Sequence, residues 1–178
     1  VNGVGSYGGT AQLFYAGEQL LNVPEGPLRV GPALQLTLPN FARNVEYRNG
    51  SRTLTINLRE GHRWSDGHLI TSNDFEFWFK HVLMDKRLTP VVEARFKGAQ
   101  IEVHDEYSFS YHFPDPQPLF LKFLAHSGWR VSLPAHFMKR FHPDFIPVEQ
   151  LEKEAAEQGL QDWRTYFQVV NNTRDLMV

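Results

Sequence analysis

The sequence predicts an α+β fold in which antiparallel hairpins pack against helices, and three observations support this prediction. Two hairpin patterns lie in the middle of the chain, a capped helix lies between them, and helical periodicity dominates the last third. The chain has 178 residues, of which 42% are hydrophobic and 21% are charged. These proportions are typical of a globular domain, and they exclude a disordered tail, a collagen-like fibre and a coiled coil.

Charge and cysteine content exclude several classes of protein. The formal net charge of −2 gives no basic surplus for binding nucleic acid or an anionic membrane. No apolar run reaches the roughly 18 residues of a membrane span. Cysteine is absent, which excludes disulfides, thiolate metal sites and a cysteine nucleophile. We expect no targeting segment at Val1, and the start without Met suggests a processed or trimmed chain.

We expect one domain over residues 1–178, organised in three parts. Residues 1–40 are punctuated by glycine and proline and should form an irregular lead-in. Residues 41–115 should form a hairpin–helix–hairpin unit, and residues 116–178 should be mainly helical.

The first hairpin is predicted where two alternating segments flank Asn49-Gly50. Leu54, Ile56 and Leu58 alternate with polar residues, which is the pattern of a half-buried strand. Asn-Gly favours a type I′ turn because both central residues of that turn have positive φ. We therefore expect Asn49 and Gly50 to form the two-residue turn of this hairpin.

The helix should begin at Thr71. Thr71 as N-cap and Asp74 three residues later form the pattern of a capping box, and an aspartate also suits the positive end of the helix dipole. Pro90 should stop the helix by about Leu88. The spacing i, i+3, i+4, i+7 predicts a core-facing stripe of Phe75, Trp78, Phe79 and Val82.

A second hairpin is predicted around Asp105-Glu106, with helices after it. Its arms carry alternating apolar residues: Ile101 and Val103 on one, and Tyr107, Phe109, Tyr111 and Phe113 on the other. The helical pattern then predicts segments over Pro118 to Ala125, after Pro134, over Val148 to Gln158, and over Leu160 to Val169. Gly159 should cap the third of these segments at its C-terminal end.

Eight histidines make a metal site the first enzymatic hypothesis. His62 and His68 are six residues apart, as are His136 and His142. Neither spacing matches the i, i+4 pair of a helical zinc site. We therefore expect no metal site and no cofactor.

Nucleophilic motifs are missing as well. The sequence has no G-x-S-x-G elbow, no P-loop and no complete dinucleotide fingerprint. We expect no catalytic residue and no enzymatic activity. A hydrolase with paired carboxylates stays open as the alternative, with the candidate acids Asp66, Asp74, Asp105 and Asp115, although turns and caps account for each of them equally well.

The most specific stretch of the sequence joins the first hairpin to the helix. We call residues 59–70 the Trp64 loop. Gly61 and Gly67 stand where positive φ is expected, and Asp66 can accept hydrogen bonds from its own turn amides. Trp64 should be buried at the junction between strand and helix. We assign a structural role to Trp64, Asp66, Gly67, Thr71 and Asp74.

This stretch resembles the family-5 extracellular solute-binding proteins of ABC importers, the oligopeptide- and dipeptide-binding group. Their pattern is roughly L-R-x-G-x-x-W-S-D-G-x-x-x-T-x-x-D-F, and it is matched by Leu58, Arg59, Gly61, Trp64, Ser65, Asp66, Gly67, Thr71, Asp74 and Phe75. The segment Leu133-Pro134-Ala135-His136 is similar to the P-K-H segment of the family, with Ala135 in place of the usual Lys. The resemblance extends from about Tyr7 to Phe167.

The resemblance implies the N-terminal part of a type II periplasmic-binding-protein fold. It implies an exported bacterial receptor, periplasmic or extracytoplasmic, that captures a solute and delivers it to an ABC permease in the membrane. Peptide is the first solute to consider, and oligosaccharides and nickel complexes are also known in the family. Family members are considerably longer, so we expect this chain to be an N-terminal fragment without the second lobe that closes over the ligand.

The resemblance also suggests a ligand contact at Tyr15, Gly17 and Glu18, where the chain of the family passes near its ligand. A tyrosine could stack on the ligand, and a glutamate could bind a peptide amino terminus. We expect the fragment to bind peptide weakly, because one lobe buries little of the ligand, and to self-associate through its open apolar face. A non-transport interaction module stays open as a second alternative.

Overall fold

The computed structural model describes residues 27–30, 37–64 and 66–172. The chain divides into two compact units. The sheet unit contains the described residues of 27–63 and 69–132, and the helical unit contains those of 64–68 and 133–172. Antiparallel sheet and helix together confirm the predicted α+β class.

Antiparallel strands make up two sheets in the sheet unit. The strands are β1 (Leu28–Val30), β2 (Thr37–Pro39), β3 (Ala42–Arg48), β4 (Thr53–Leu58), β5 (Gln100–Asp105) and β6 (Ser108–His112). β1 pairs with β2, and the other four strands form a sheet of order β3-β4-β6-β5. β1 and β2 lie within the segment that the sequence predicts to be irregular.

The helices are α1 (Ser72–Phe77) and α2 (Phe120–Ser127) in the sheet unit, and α3 (Ala135–Met138), α4 (Val148–Glu157) and α5 (Trp163–Asn172) in the helical unit. A π-helical segment, Trp78–Leu83, continues α1. Short 3-10 turns occupy Ala94–Phe96, Gly128–Val131 and Lys139–Phe141. In the part of the chain that the structure describes, no helix combines the length and the apolar character needed to cross a bilayer.

The first hairpin forms as predicted, but its turn is displaced by one residue. Arg48 pairs with Thr53, so four residues separate the strands. The Arg52 N–H donates to the Asn49 carbonyl at 3.3 Å, and the two residues between them have positive φ, 61° at Gly50 and 64° at Ser51. The expected Asn49-Gly50 turn is therefore a Gly50-Ser51 turn, with Asn49 itself also at positive φ.

The second hairpin shows the same kind of displacement. Asp105 pairs with Ser108, so the two-residue turn is Glu106–Tyr107 rather than the predicted Asp105-Glu106. The Asp105 carboxylate accepts the Tyr107 N–H at 2.8 Å, which satisfies a turn donor. This turn also meets the start of α1, where the Ser72 N–H donates to the Glu106 carbonyl at 2.8 Å.

The core of the sheet unit is aromatic. Phe109 and Tyr111 of β6 are fully buried, and Phe75 of α1 stacks on Phe109 with ring centroids 4.6 Å apart. The alternation predicted for β4 is confirmed, since its three apolar side chains are buried, namely Leu54, Ile56 and Leu58. The four-stranded sheet therefore uses the apolar face that the sequence pattern indicates.

Helix α1 starts as predicted, and its helical segment ends within the predicted limit. Its capping box joins Thr71 and Asp74, as the sequence indicates. Of the predicted core stripe, Phe75 and Phe79 are buried, whereas Trp78 and Val82 are only half-buried. The Met84 N–H donates to the Phe79 carbonyl at 3.0 Å, a π-type bond that ends the helical segment before the predicted limit at Leu88.

Hydrogen bonds at the C-terminal end of α4 stop this helix at Gly159. α4 ends in a Schellman motif, in which the Gly159 N–H donates to the Ala156 carbonyl at 3.0 Å and the Leu160 N–H donates to the Ala155 carbonyl at 2.9 Å. Gly159 has a φ of 71°, so its predicted capping role is confirmed. The buried residues of the helical unit include Leu133, Ala135, Met138, Phe141, Leu151, Ala155, Trp163, Phe167 and Val170.

Candidate functional site

The tip of the Trp64 loop is a tight turn held by backbone hydrogen bonds. The Trp64 N–H donates to the His68 carbonyl at 2.8 Å, and the Gly67 N–H donates to the Trp64 carbonyl at 2.9 Å. Gly67 has a φ of 91°, a conformation that glycine adopts without steric cost. Trp64 is half-buried, so the predicted burial of its side chain is only partial.

The Asp66 carboxylate stabilises this turn, and the same bond orients the carboxylate. Asp66 Oδ1 accepts the backbone N–H of His68 at 3.1 Å, as an Asx turn does. This bond leaves Asp66 Oδ2 for two side-chain partners. The predicted role of Asp66 in the turn is therefore observed, but the carboxylate does more than hold its own loop.

Two imidazole rings converge on Asp66 Oδ2. Nδ1 of His68 lies 2.9 Å from that oxygen, and Nε2 of His136 lies 2.6 Å from it. The two rings stack with centroids 3.8 Å apart and an interplanar angle of 16°. Asp66, His68 and His136 form the cluster that we call the two-histidine site, and it lies within the helical unit.

The short helix α3 positions His136. The Phe137 and Met138 N–H groups donate to the Pro134 carbonyl at 3.0 and 2.9 Å, which starts the helix at the proline. Ala135 and Met138 are buried and anchor α3 in the core of the helical unit. His136, between these two anchors, keeps 27% of its side-chain surface exposed.

The two-histidine site combines one carboxylate with two nitrogen ligands and remains open to solvent. The exposed fractions of the side chains are 61% for His68 and 25% for Asp66. The candidate ligand atoms all lie within 4.8 Å of one another, so the set is able to hold a metal ion.

The other acids proposed for a hydrolase serve local structure. Asp74 is buried, and its carboxylate accepts the Thr71 N–H in the capping box. Asp105 accepts a turn N–H in the second hairpin. Asp115 is exposed in a loop. Each of these three residues thus keeps the turn, cap or loop role that the sequence offers as the simpler interpretation.

Sequence spacing alone does not find the two-histidine site. The pairs His62/His68 and His136/His142 were separate patterns in the sequence, and the fold instead joins one member of each pair. One signal for the site was present in the sequence. Asp66 lies in the W-S-D-G stretch and His136 in the segment similar to P-K-H, and both stretches resemble the same family. The predicted ligand contacts Tyr15, Gly17 and Glu18 lie outside the described residues.

Comparison with known proteins identifies the family. The sequence model of the bacterial extracellular solute-binding proteins, family 5 Middle, matches residues 37–162, which is more than half of the chain. The chain belongs to this family. The match includes the Trp64 loop and α3, so both segments of the two-histidine site are family-5 sequence. The resemblance predicted from the sequence is confirmed.

Individual family-5 relatives differ in what they bind. The chain is 28% identical over 112 residues to the periplasmic alpha-galactoside-binding protein of Rhizobium meliloti, covering 61% of this chain and 16% of that protein. It is 22% identical over 128 residues to the periplasmic oligopeptide-binding protein OppA of Haemophilus influenzae, covering 62% of this chain and 24% of that protein.

Solved structures show the same family-5 fold. An oligopeptide-binding protein OppA matches with a TM-score of 0.76 and 28% identity, covering 81% of this chain and 23% of that chain. The periplasmic binding protein MelB of Agrobacterium fabrum, solved in complex with stachyose, matches with a TM-score of 0.62 and 22% identity, covering 85% of this chain and 22% of that chain. The chain thus spans about a quarter or less of the length of these four relatives.

Proposed function

We propose that this chain is part of the solute-binding component of a bacterial ABC importer. The observation that carries the proposal is the family-5 match over residues 37–162, supported by the fold shared with OppA at a TM-score of 0.76. The component would capture its solute outside the cytoplasm, in the periplasm or its equivalent, and pass it to a membrane permease. Hinge closure around the ligand would then signal the loaded state to the permease.

Peptide is the solute that we propose first. Both an OppA sequence relative and an OppA structure support it, and the OppA structure combines the larger coverage with 28% identity. An α-galactoside is the second candidate, because the Rhizobium meliloti relative that binds it is also 28% identical to this chain. Both solutes are polar molecules, which suits a pocket of aromatic and hydrogen-bonding side chains.

The proposed component carries out no covalent chemistry. The named relatives are binding proteins, and two of the four candidate acids, Asp74 and Asp105, are engaged in a helix cap and a turn. We therefore expect no turnover of peptides, esters or glycosides by this chain. Reproducible hydrolysis that one acid-to-amide substitution abolishes would contradict this expectation.

We further propose that Tyr15, Gly17 and Glu18 contact the ligand. A tyrosine ring offers a stacking surface, and a glutamate carboxylate would pair with the amino terminus of a peptide. Gly17 would allow the ligand to approach the backbone closely. These roles follow from the family resemblance of the segment.

The test is a titration of the chain with short peptides, with the same peptides acetylated at the amino terminus, and with stachyose. We expect saturable peptide binding near the millimolar range, because a single lobe buries only part of the ligand. Glu18→Gln should weaken binding of the free peptide and leave the acetylated peptide unaffected, whereas Gln19→Ala serves as the matched control. Chemical-shift changes in NMR spectra detect binding of this strength.

The possible results separate the candidates. Saturable binding of stachyose without peptide binding would favour the α-galactoside. No saturable binding of either class at about 10 mM would contradict solute binding by this chain. A sizing column run beside the titration tests the expected self-association, for which exposed apolar side chains such as Val91 and Leu119 provide a physical reason.

A further inference from the structure

The two-histidine site has a ligand set with a clear chemical preference. Two imidazole nitrogens and one carboxylate oxygen suit Zn²⁺, Ni²⁺, Cu²⁺ or Co²⁺. Mg²⁺ and Ca²⁺ prefer sets made of oxygen alone. Three protein ligands with an open fourth position are also the usual arrangement of a zinc site that exchanges its last ligand.

We propose that Asp66, His68 and His136 bind a divalent transition-metal ion, with Zn²⁺ as the reference ion. The proposal contradicts our own expectation of no metal site, which rested on spacing within the sequence. It does not depend on the solute that the protein binds, because it rests only on these three side chains.

The distances between the ligand atoms are close to those that an ion requires. Bonds of about 2.0–2.2 Å in a tetrahedral site place neighbouring ligand atoms about 3.3 Å apart. Asp66 Oδ2 now lies 2.9 Å from His68 Nδ1 and 2.6 Å from His136 Nε2. Each imidazole therefore needs to withdraw from the carboxylate by less than about 1 Å. The two stacked rings must also tilt apart, because an ion binds each nitrogen in the plane of its ring. With 61% of its side chain exposed, His68 has room to make this movement.

Binding of the ion requires each imidazole to change its tautomer. Each ring nitrogen that faces Asp66 Oδ2 donates to it when the ring is neutral, so each lone pair points away from the site. Metal binding moves the single proton of each ring to its other nitrogen and turns the lone pairs toward the ion. Asp66 stays oriented throughout, because its Oδ1 accepts the backbone N–H of His68.

The open side of the site determines what the ion would do there. The side chains of the site remain partly exposed, so water would complete the coordination. Such an ion has an exchangeable position, and a small ligand with an amine or carboxylate could replace the water. The site would therefore act as a surface metal site that accepts an outside ligand, unlike a closed structural zinc site.

The experiment is a titration of the full chain with Zn²⁺ in the presence of a chromophoric competing chelator. We expect one ion to bind, and we expect His68→Asn and His136→Asn each to weaken binding at least tenfold. The matched control is His62→Asn, which removes an exposed histidine of the same loop that is outside the cluster. His112→Asn is a second control, because it removes the histidine that contacts Glu102 at 2.8 Å.

Two further measurements keep the test decisive. Co²⁺ should give the visible absorption of a tetrahedral or five-coordinate ion in the parent chain and lose it in both cluster variants. If His136→Asn fails to fold, the His68 variant decides, together with the imidazole C–H signals of the parent in NMR spectra with Zn²⁺. No saturable binding, or affinity unchanged in the His68 variant, would overturn the proposal.

Discussion

The carboxylate of Asp74 accepts the backbone N–H of Thr71 at 2.9 Å while only 3% of Asp74 is exposed. This bond closes the start of α1 at a position where water has little access. The donor that Asp74 satisfies would otherwise be one of the free N–H groups at the start of a helix. We therefore expect a substitution of Asp74 to lower the stability of the protein.

Replacing Asp74 with Ala should lower the free energy of unfolding by about 1–3 kcal/mol, because the Thr71 N–H then lacks its acceptor. Urea denaturation measures the change. Asn73→Ala is the matched control, since Asn73 is exposed in the same turn and should change stability by less than about 0.5 kcal/mol. Equal effects of the two substitutions would show that the capping box does not stabilise the protein.

Replacing Tyr111 with Phe should stabilise the protein by up to about 1 kcal/mol. Tyr111 is fully buried, and its hydroxyl has no hydrogen-bond partner among the described residues. Burial also raises the pKa of the Tyr111 hydroxyl far above its usual range, so the group stays neutral. Removing a buried, unsatisfied hydroxyl relieves a desolvation cost and keeps the packing of the ring.

Tyr47→Phe is the matched control with the opposite sign. The Tyr47 hydroxyl donates to the Gln117 carbonyl at 2.5 Å, so its removal should cost about 1 kcal/mol. Thermal or denaturant unfolding of both variants gives the comparison. If Tyr111→Phe destabilises as much as Tyr47→Phe, the Tyr111 hydroxyl has a partner after all.

Replacing Gly159 with Ala should destabilise the protein by about 1–2 kcal/mol, because alanine at positive φ is strained. Gly159 has a φ of 71°, and apart from the adjacent backbone no atom lies within 4 Å of an added Cβ, so the cost comes from the local backbone conformation and not from a clash with the rest of the fold. Gln158→Ala, at the preceding C-cap, is the control. A neutral Gly159→Ala would mean that the end of α4 rearranges without cost.

Asp162 should make stability depend on pH on the acidic side. Its carboxylate accepts the Thr165 N–H and hydroxyl, both at 2.8 Å, and these bonds lower its pKa below the ordinary 3.8. A pKa that is lower in the folded protein means that the stabilisation is present above about pH 4 and is lost as pH falls through the folded pKa.

Asp162→Asn tests this dependence because an amide oxygen still accepts the two hydrogen bonds from Thr165 but does not titrate. The slope of unfolding free energy against pH should become shallower below about pH 4 in this variant. Asp115→Asn removes an exposed loop carboxylate and serves as the control. An unaltered slope in Asp162→Asn would show that the bonds between Asp162 and Thr165 do not make stability depend on pH.

Local signals in the sequence predicted most of the elements. The capping box at Thr71, the glycine at the end of α4 and the alternation of β4 act over a few residues, and the structure shows all three. Both hairpins were also predicted, but each turn is displaced by one residue. The pairing of whole strands sets the register, and a dipeptide preference only biases it.

Features that depend on distant residues were not predictable in the same way. The π-helical continuation of α1, with its bond from the Met84 N–H to the Phe79 carbonyl, is not indicated by any propensity. The two-histidine site needs His68 and His136 to meet, and their separation along the chain hides the relationship from any spacing rule.

The strand order β3-β4-β6-β5 has a consequence for folding. Each hairpin can close by itself within about 1–10 μs, but β4 meets β6 only after a long loop has closed, as the pairing of Thr53 with His112 requires. Until that docking, one edge of β4 is an unpaired strand that carries Leu54 and Ile56. During synthesis or refolding, this edge is the surface on which incompletely folded chains would pair with one another and aggregate. Conditions that delay the second hairpin should therefore lower the yield of refolded protein more than they lower its final stability.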